Sequence, residues 1–215
     1  MDDDARRTAL LSALTTEHFV LQTASTSTIS EAAGRSSLYI FALSSSLVAL
    51  GFLSQSPEAL VPFVAVVLPA LFILGIFTVV RLVDTVAENM QYLAGIARIR
   101  GHYRELIPGS DPYFSAETGR WPEAPAAAEP SLIHGEVIAF LGTTASMIAF
   151  IDSVVAGVGT ALLMTSVAGV PLALGVISGV VAVAILMYVF LRYERWRIEA
   201  LRIDTNSDAG ERSDT

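Results

Sequence analysis

The stretch VPFVAVVLPALFILGIFTVVRLV, Val61–Val83, decides the fold class of this chain, because it is apolar over the length of a bilayer crossing. A transmembrane helix needs about 20 predominantly apolar residues in succession. Three more stretches of the same character occur at Leu38–Leu53, Ser146–Val167 and Leu172–Leu191. The sequence therefore predicts an all-α membrane protein with four transmembrane helices.

The composition is consistent with a chain whose apolar surface contacts lipid. Of the 215 residues, 53% are hydrophobic and only 16% are charged, which exceeds the apolar share of an ordinary soluble domain. The chain has no cysteine, so disulfides, thiol catalysis and thiolate metal sites are excluded. Its net charge of -8 argues against nucleic acid as a partner.

The distribution of arginine predicts the orientation in the membrane. The two short connections, Ser54–Leu60 and Ala168–Pro171, contain no basic residue. The arginines near the spans lie before the first, after the second and after the fourth: Arg6, Arg7, Arg35, Arg81, Arg98, Arg100, Arg104, Arg120, Arg192, Arg195, Arg197 and Arg202. By the positive-inside rule, both termini and the central segment face the cytoplasm of a bacterial cell, and the protein is a multi-pass protein of the plasma (inner) membrane.

This orientation gives a domain plan of two transmembrane hairpins with long cytoplasmic helical extensions. The plan is a cytoplasmic amphipathic helix at 1–35, hairpin 1 at 36–84, a helical extension at 85–107, a proline-rich linker at 108–130, a cytoplasmic helix and hairpin 2 at 131–191, and a cytoplasmic helix with a disordered tail at 192–215. The match between the two halves is architectural, since no residue-level repeat supports a duplication.

The amino-terminal helix carries a stripe with alternating steps of three and four residues. Its members are Leu11, Leu14, His18, Leu21, Ser25, Thr28 and Ala32. This periodicity is typical of a helix that packs on another helix. The extension after span two repeats it, so we expect the two helices to pack antiparallel beneath the membrane, within or between subunits. The hydroxyl-rich end of the stripe fits close helix packing, a wetted vestibule or a local break in the helix.

Small residues predict close helix packing within the membrane. They recur at every fourth position of span three and form a GxxxG pair on span four: Ala145, Ala149, Ser153, Gly157, Ala161 and Thr165, with Gly175 and Gly179. Such faces let two backbones approach closely in lipid. Spans three and four are expected to pack tightly, either on each other or across a subunit boundary.

Two polar features inside the spans are candidates for a functional role. Ser44, Ser45 and Ser46 interrupt span one, where they either bond to the preceding helical turn or line a polar conduit. Asp152 is the one acid well inside an apolar stretch, and exposure to lipid would cost about 2.5–3.5 kcal/mol. It is either a satisfied contact, with Arg81 or Arg192 as partner, or part of an ion or proton pathway.

A basic cluster, Arg98, Arg100, His102 and Arg104, ends the extension after span two. Such a cluster is typical of a membrane-surface anchor or of favourable charge at a helix carboxyl end, and an anionic-ligand site is the alternative. The histidines have no metal-ligand spacing, so neither a metal nor another cofactor is predicted. No nucleophile and base can be assembled either, which argues against an enzyme.

The first half of the chain, from the Leu11–Arg35 helix through two spans to RIRGHYREL at Arg98–Leu106, resembles uncharacterised four-span membrane proteins of GC-rich Gram-positive bacteria. More loosely it is similar to the SLATT class of bacterial two-span domains, which share the order helix, hairpin, helix. Those domains are proposed pore-forming effectors in nucleotide-signalled defence. The resemblance is architectural, covers about half of the chain and carries over no residue.

The leading hypothesis from the sequence is an oligomeric, channel-like or pore-forming protein whose cytoplasmic helices serve assembly or gating. The partners implied are the lipid bilayer and further copies of the chain. The alternative is a non-conducting membrane scaffold or accessory subunit that binds a cytoplasmic protein partner.

Overall fold

The computed structural model describes residues 3–106, 109, 113 and 143–213, without the side chains of Pro57 and of residues 198–213. These residues form four α-helices: α1 Asp3–Leu53, α2 Pro57–Leu106, α3 Thr144–Ser166 and α4 Leu172–Ser213. The predicted linker at 108–130 lies outside the described residues apart from Gly109 and Tyr113, and so does the predicted start of a helix near Ser131.

All four helices are long and apolar enough to cross a membrane. The chain is therefore a multi-pass membrane protein by length and hydropathy, with one candidate span in each helix. The sequence predicts a cytoplasmic helix followed by a disordered tail at 192–215, and α4 is helical as far as Ser213.

Local sequence signals explain where the helices begin and end. The three-residue connection Ser54–Ser56 precedes Pro57, and proline is favoured at a first helical position because it has no amide hydrogen to leave unpaired. The Thr143 hydroxyl accepts a hydrogen bond from the Ser146 amide and caps α3. After α3 the chain turns through Gly169, whose φ of 65° is strained for a residue with a side chain.

The chain divides into two compact units. The first unit comprises Met1–Glu31 and Thr85–Phe140, and the second comprises Ala32–Asp84 and Leu141–Thr215. Both α1 and α2 contribute residues to each unit, whereas α3 and α4 belong to the second.

Within the first unit, α1 and α2 pack antiparallel. Going toward the carboxyl end of α1, Thr15 contacts Tyr103, Leu21 lies where a side chain on Gly95 would be, and Ser25 contacts Asn89. The contacted residues of α2 thus have lower numbers as those of α1 have higher ones, as in an antiparallel pair. The predicted stripe faces this contact: its six members in this unit, from Leu11 to Thr28, are buried or half-buried, while most residues between them are exposed. The seventh member, Ala32, packs on the core of the second unit.

The core of the second unit draws on all four helices. Its buried members are Tyr39, Val79, Leu82, Val83, Ala145, Ile148, Ala149 and Phe190. They lie far from the connection between α1 and α2, near the ends of the spans that the loops do not join. Outward-facing positions carry large apolar side chains instead, such as Phe41 and Phe77, at 72% and 70% exposure. An apolar exterior over a small buried core is the pattern of a bundle surrounded by lipid.

Candidate functional site

The most unusual feature of the second unit is a carboxylate buried between helices. Asp152 on α3 is only 4% exposed, and its Oδ1 accepts a hydrogen bond of 3.0 Å from the hydroxyl of Tyr39 on α1. Tyr39 is itself fully buried, at 0% exposure. The phenol is a neutral donor, so it satisfies part of the hydrogen-bonding capacity of the carboxylate without cancelling its charge.

The third wall of this site is a glycine of α2. A Cβ atom built on Gly75 would overlap the carboxylate of Asp152, so the space occupied by the acid exists because residue 75 has no side chain. Three helices therefore meet at one polar point: α1 supplies the donor, α3 the acid and α2 the gap that admits it. We call Tyr39, Gly75 and Asp152 the polar centre.

The polar centre lies inside the apolar part of the bundle. Tyr39 is fourteen residues from the end of α1 at Leu53, and Asp152 is fourteen residues from the end of α3 at Ser166. At a rise of 1.5 Å per residue, the centre is about 21 Å from these loop ends. Since a hydrocarbon core is about 30 Å thick, the centre lies within it when the loop ends mark one boundary.

The hydrogen-bond partner of Asp152 differs from the partner that the sequence suggested. We expected Arg81 or Arg192, whereas the structure places Tyr39 on the carboxylate. The packing of α3 on α4 explains why Arg192 does not serve: Ser146 contacts Glu194, so Arg192 lies near the first turns of α3. Asp152 is six residues beyond Ser146, and Arg192 is two residues before Glu194 on the antiparallel α4, so about 6 Å of depth separates them. Arg192 is also exposed, whereas Asp152 is buried.

A second buried acid lies at the amino end of α3. Glu194 on α4 is 3% exposed, and its Oε2 is 3.5 Å from the Ser146 hydroxyl, which is also buried. Ser146 in turn accepts a hydrogen bond from the capping residue Thr143. The positive end of the α3 dipole and these hydroxyls offset part of the cost of burying this acid.

One ion pair joins α2 and α4 in this unit. The Arg197 guanidinium donates to Oδ1 of Asp84 from Nη2 at 2.9 Å and from Nε at 3.3 Å. Both side chains are partly exposed, at 40% and 27%, so the pair contributes on the order of 1 kcal/mol or less.

The three serines of α1 are placed differently from one another. Ser46 is half-buried and donates a hydrogen bond of 2.8 Å to the carbonyl of Ala42, one turn earlier. Ser44 and Ser45 are exposed on the surface of the second unit. In a bilayer these two hydroxyls face lipid or another protein helix, and they do not line the polar centre.

The small residues of α3 pack on those of α4. A Cβ atom on Gly157 would lie 2.8 Å from the carbonyl oxygen of Gly179, and one on Gly179 would lie 2.6 Å from that of Gly157. A Cβ atom on Gly175 would overlap the side chain of Thr165 and lie 3.2 Å from the carbonyl oxygen of Ala161. Ala149 and Ser153 are buried along the same face. Close backbone approach thus holds these two helices together within one chain.

The first unit has a polar contact of its own. Ser25 donates a hydrogen bond of 2.6 Å to Oδ1 of Asn89, and Thr28 approaches the same oxygen at 3.4 Å. Both hydroxyl side chains are buried. The hydroxyl-rich end of the α1 stripe therefore serves helix packing here, because its inward members bond to α2.

The four residues of the basic cluster differ in exposure. Arg98 is exposed, whereas Arg100, His102 and Arg104 are half-buried. The Nε2 atom of His102 is buried and lacks a hydrogen-bond partner within the part of the chain that is described. In the same part, no group of three or more side chains suited to a metal ion occurs.

Sequence reasoning identified Asp152 but missed the residues that build its site. Tyr39 lies 113 positions away in the sequence, and an aromatic residue at the start of a span is usually an interfacial anchor. Gly75 is a lone glycine without a GxxxG partner. Glu194 follows span four among arginines and reads as part of a solvated helix end.

Comparison of the chain with protein-family models, with curated proteins and with solved structures finds no match.

Proposed function

We propose that this chain is an oligomeric, channel-like protein of the bacterial plasma membrane, in which Asp152 takes part in the passage or gating of protons or cations. The observation that carries the proposal is the environment of Asp152. The acid is buried between three helices, and Tyr39 is its hydrogen-bond partner. Among the described residues, no ion pair with an arginine offsets its charge.

The free-energy cost of burying an ionised aspartate supports a functional role for Asp152. Ionised aspartate within a span costs about 2.5–3.5 kcal/mol on insertion scales, and a hydrogen bond to a charged group returns about 1.5–3 kcal/mol. A proton or a bound cation removes the remaining cost by neutralising the carboxylate. Acids inside spans characteristically mark ion pathways and proton relays for this reason.

In this proposal the conduction path lies at the contact between subunits. The buried Asp152 does not line that path; it influences the path from inside the subunit by gaining or losing a proton or cation. Two cavities in the second unit have volumes of about 390 Å³ and 340 Å³, and both are lined almost entirely by carbon. Neither of these cavities offers a polar path, so the proposal uses surface residues. Ser44 and Ser45 lie exposed on α1, on a surface that a neighbouring copy can complete. The loose similarity to SLATT-type domains also favours an oligomeric pore.

The proposal includes the orientation predicted from arginine. Both termini and the central segment are cytoplasmic, because the basic residues follow or precede the spans only on that side. In this orientation α1 and α2 form the first hairpin, α3 and α4 form the second, and the polar centre lies nearer to the cytoplasmic surface. The first unit is then the cytoplasmic assembly or gating element.

The second candidate is a membrane scaffold, and one observation favours it. Phe19 and Ile29 on α1 of the first unit are 62% and 60% exposed. Large apolar side chains exposed on a cytoplasmic helix indicate an interaction surface. A partner protein would bind this surface in a scaffold, and a second copy of the chain would bind it in a channel.

The test is ion flux and native mass measured on the same protein in liposomes. Wild-type protein should assemble and conduct. Asp152→Asn should assemble equally well but change ion selectivity or the pH dependence of flux, because the amide keeps the shape and loses the charge. Glu58→Gln is the matched control, since it removes one charge from an exposed position. Absence of flux from assembled wild-type protein, over several ions and voltages, moves the assignment to the scaffold.

A further inference from the structure

A deep apolar crevice runs along the second unit between α1, α2 and α3. Its volume is about 340 Å³. Its walls include Leu43 and Leu50 of α1, Val64 and Leu71 of α2, and the α3 segment from Ile151 to Leu162. Ser46 is the one lining residue with a polar side chain, and its hydroxyl is already bonded to the carbonyl of Ala42.

We propose that this crevice is a binding site for one acyl chain of a membrane phospholipid from the leaflet on the side of the loops. The dimensions of the site support this occupant. Its α3 wall runs from Ile151 to Leu162, a rise of about 16 Å at 1.5 Å per residue. Half of a hydrocarbon core of about 30 Å is about 15 Å, so the crevice has the length of one leaflet.

The ends of the crevice fit the same occupant. On the loop side it reaches Leu50 and Leu162, close to the last residues of α1 and α3, where the headgroup of a lipid meets water. On the other side it stops at Ile151, next to the buried Asp152. An acyl chain entering from the loop side therefore contacts apolar walls along about 16 Å and ends beside the polar centre, past the midplane of the bilayer.

Water and a second protein helix fit this crevice less well than an acyl chain. Water needs two or more polar partners to occupy a cavity, and here the lining is carbon. A transmembrane helix is about 10 Å wide with its side chains and fills a far larger groove than about 340 Å³. A chain of methylene groups is thin enough to enter, and each buried methylene adds to its affinity. The inference is independent of whether the protein conducts.

The test counts phospholipids that remain on the protein after detergent extraction, by native mass spectrometry. Val67 lines the crevice, while its neighbour Val66 is 70% exposed on the same helix. Val67→Phe fills part of the crevice, and Val66→Phe adds the same ring outside it. Wild-type protein and Val66→Phe should each keep about one phospholipid per chain after a wash that strips lipid from the surface. Val67→Phe should lower this occupancy about tenfold, because the ring displaces two or more methylene contacts.

Val64→Phe, at a second lining position, repeats the test if Val67→Phe does not yield folded protein. Three results would overturn the proposal: no retained phospholipid on wild-type protein, equal retention by both crevice variants, or equal loss from Val66→Phe. A change in subunit number without loss of lipid would overturn it as well and would assign the crevice to a second copy.

Discussion

The hydroxyl of Tyr39 donates a hydrogen bond of 3.0 Å to Oδ1 of Asp152, and both side chains are buried within the apolar part of a four-helix unit. The bond joins α1 to α3, which are far apart in the sequence. Because this bond both satisfies the carboxylate and holds α1 against α3, the charge state of Asp152 affects the packing of the bundle. Changes at either residue, or at the glycine beside them, should therefore affect stability as well as any conduction.

Replacing Tyr39 with Phe should lower the free energy of unfolding in detergent by about 1.5–3 kcal/mol, because a buried charged acceptor loses its donor. Tyr188→Phe is the matched control, since Tyr188 is 65% exposed on α4 and its loss should cost little. Thermal or denaturant unfolding of the two variants measures the difference. Equal stability of Tyr39→Phe and wild type would contradict the hydrogen bond.

Gly75→Ala should destabilise the second unit by about 1–3 kcal/mol, because the added methyl group overlaps the Asp152 carboxylate. Gly51→Ala is the control: its Cβ meets no atom within 4 Å, and alanine in a helix is favoured by up to about 1 kcal/mol over glycine. Combining Gly75→Ala with Asp152→Ala should restore part of the stability, as a double-mutant cycle reveals. Additive effects would place the acid elsewhere.

Gly157→Ala should separate α3 from α4 and cost about 1–3 kcal/mol of unfolding free energy, because its Cβ would lie 2.8 Å from the Gly179 carbonyl oxygen. Gly159→Ala, two positions along α3, meets its nearest atom only at 3.9 Å and should be neutral or stabilising. Unfolding curves recorded together with oligomer mass test both variants. If Gly157→Ala instead keeps its stability and loses only its oligomers, the glycine acts between subunits.

Ser25→Ala should weaken the first unit by about 0.5–1.5 kcal/mol, because it removes the 2.6 Å hydrogen bond to Asn89. Ser27→Ala on the exposed side of the same helix should have almost no effect. Protease sensitivity of α1 in liposome-bound protein reports on this unit directly. Identical digestion of the two variants would show that the Asn89 contact does not hold the helices together.

Labels at either terminus and near Ser115 should be inaccessible from outside intact cells, because arginine flanks only the ends of the spans assigned to the cytoplasm. Cysteine introduced at Gln55, in the connection between α1 and α2, should be labelled from outside. The chain has no native cysteine, so each label reports one position. Labelling of residue 115 by an impermeant reagent in intact cells would overturn the orientation.

Much of the fold follows from local patterns of hydropathy and periodicity in the sequence. The four spans are evident from hydropathy, since a bilayer demands about 20 apolar residues per crossing. The inward face of the amino-terminal helix follows from steps of three and four, and Leu21 and Ser25 of that stripe lie against α2. The small-residue face of α3 is also visible in the sequence, but whether it meets α4 or another subunit is not.

Sequence by itself determined that this protein crosses a membrane with four helices and that Asp152 cannot face lipid, because both follow from the cost of placing groups in hydrocarbon. Only the tertiary structure decided what surrounds that acid. Tyr39, Gly75 and Asp152 come from three helices and reach one point through the packing of the whole unit. Hydrogen bonding and steric fit depend on positions to within about 1 Å, and no local pattern of residues specifies distances between helices to that precision.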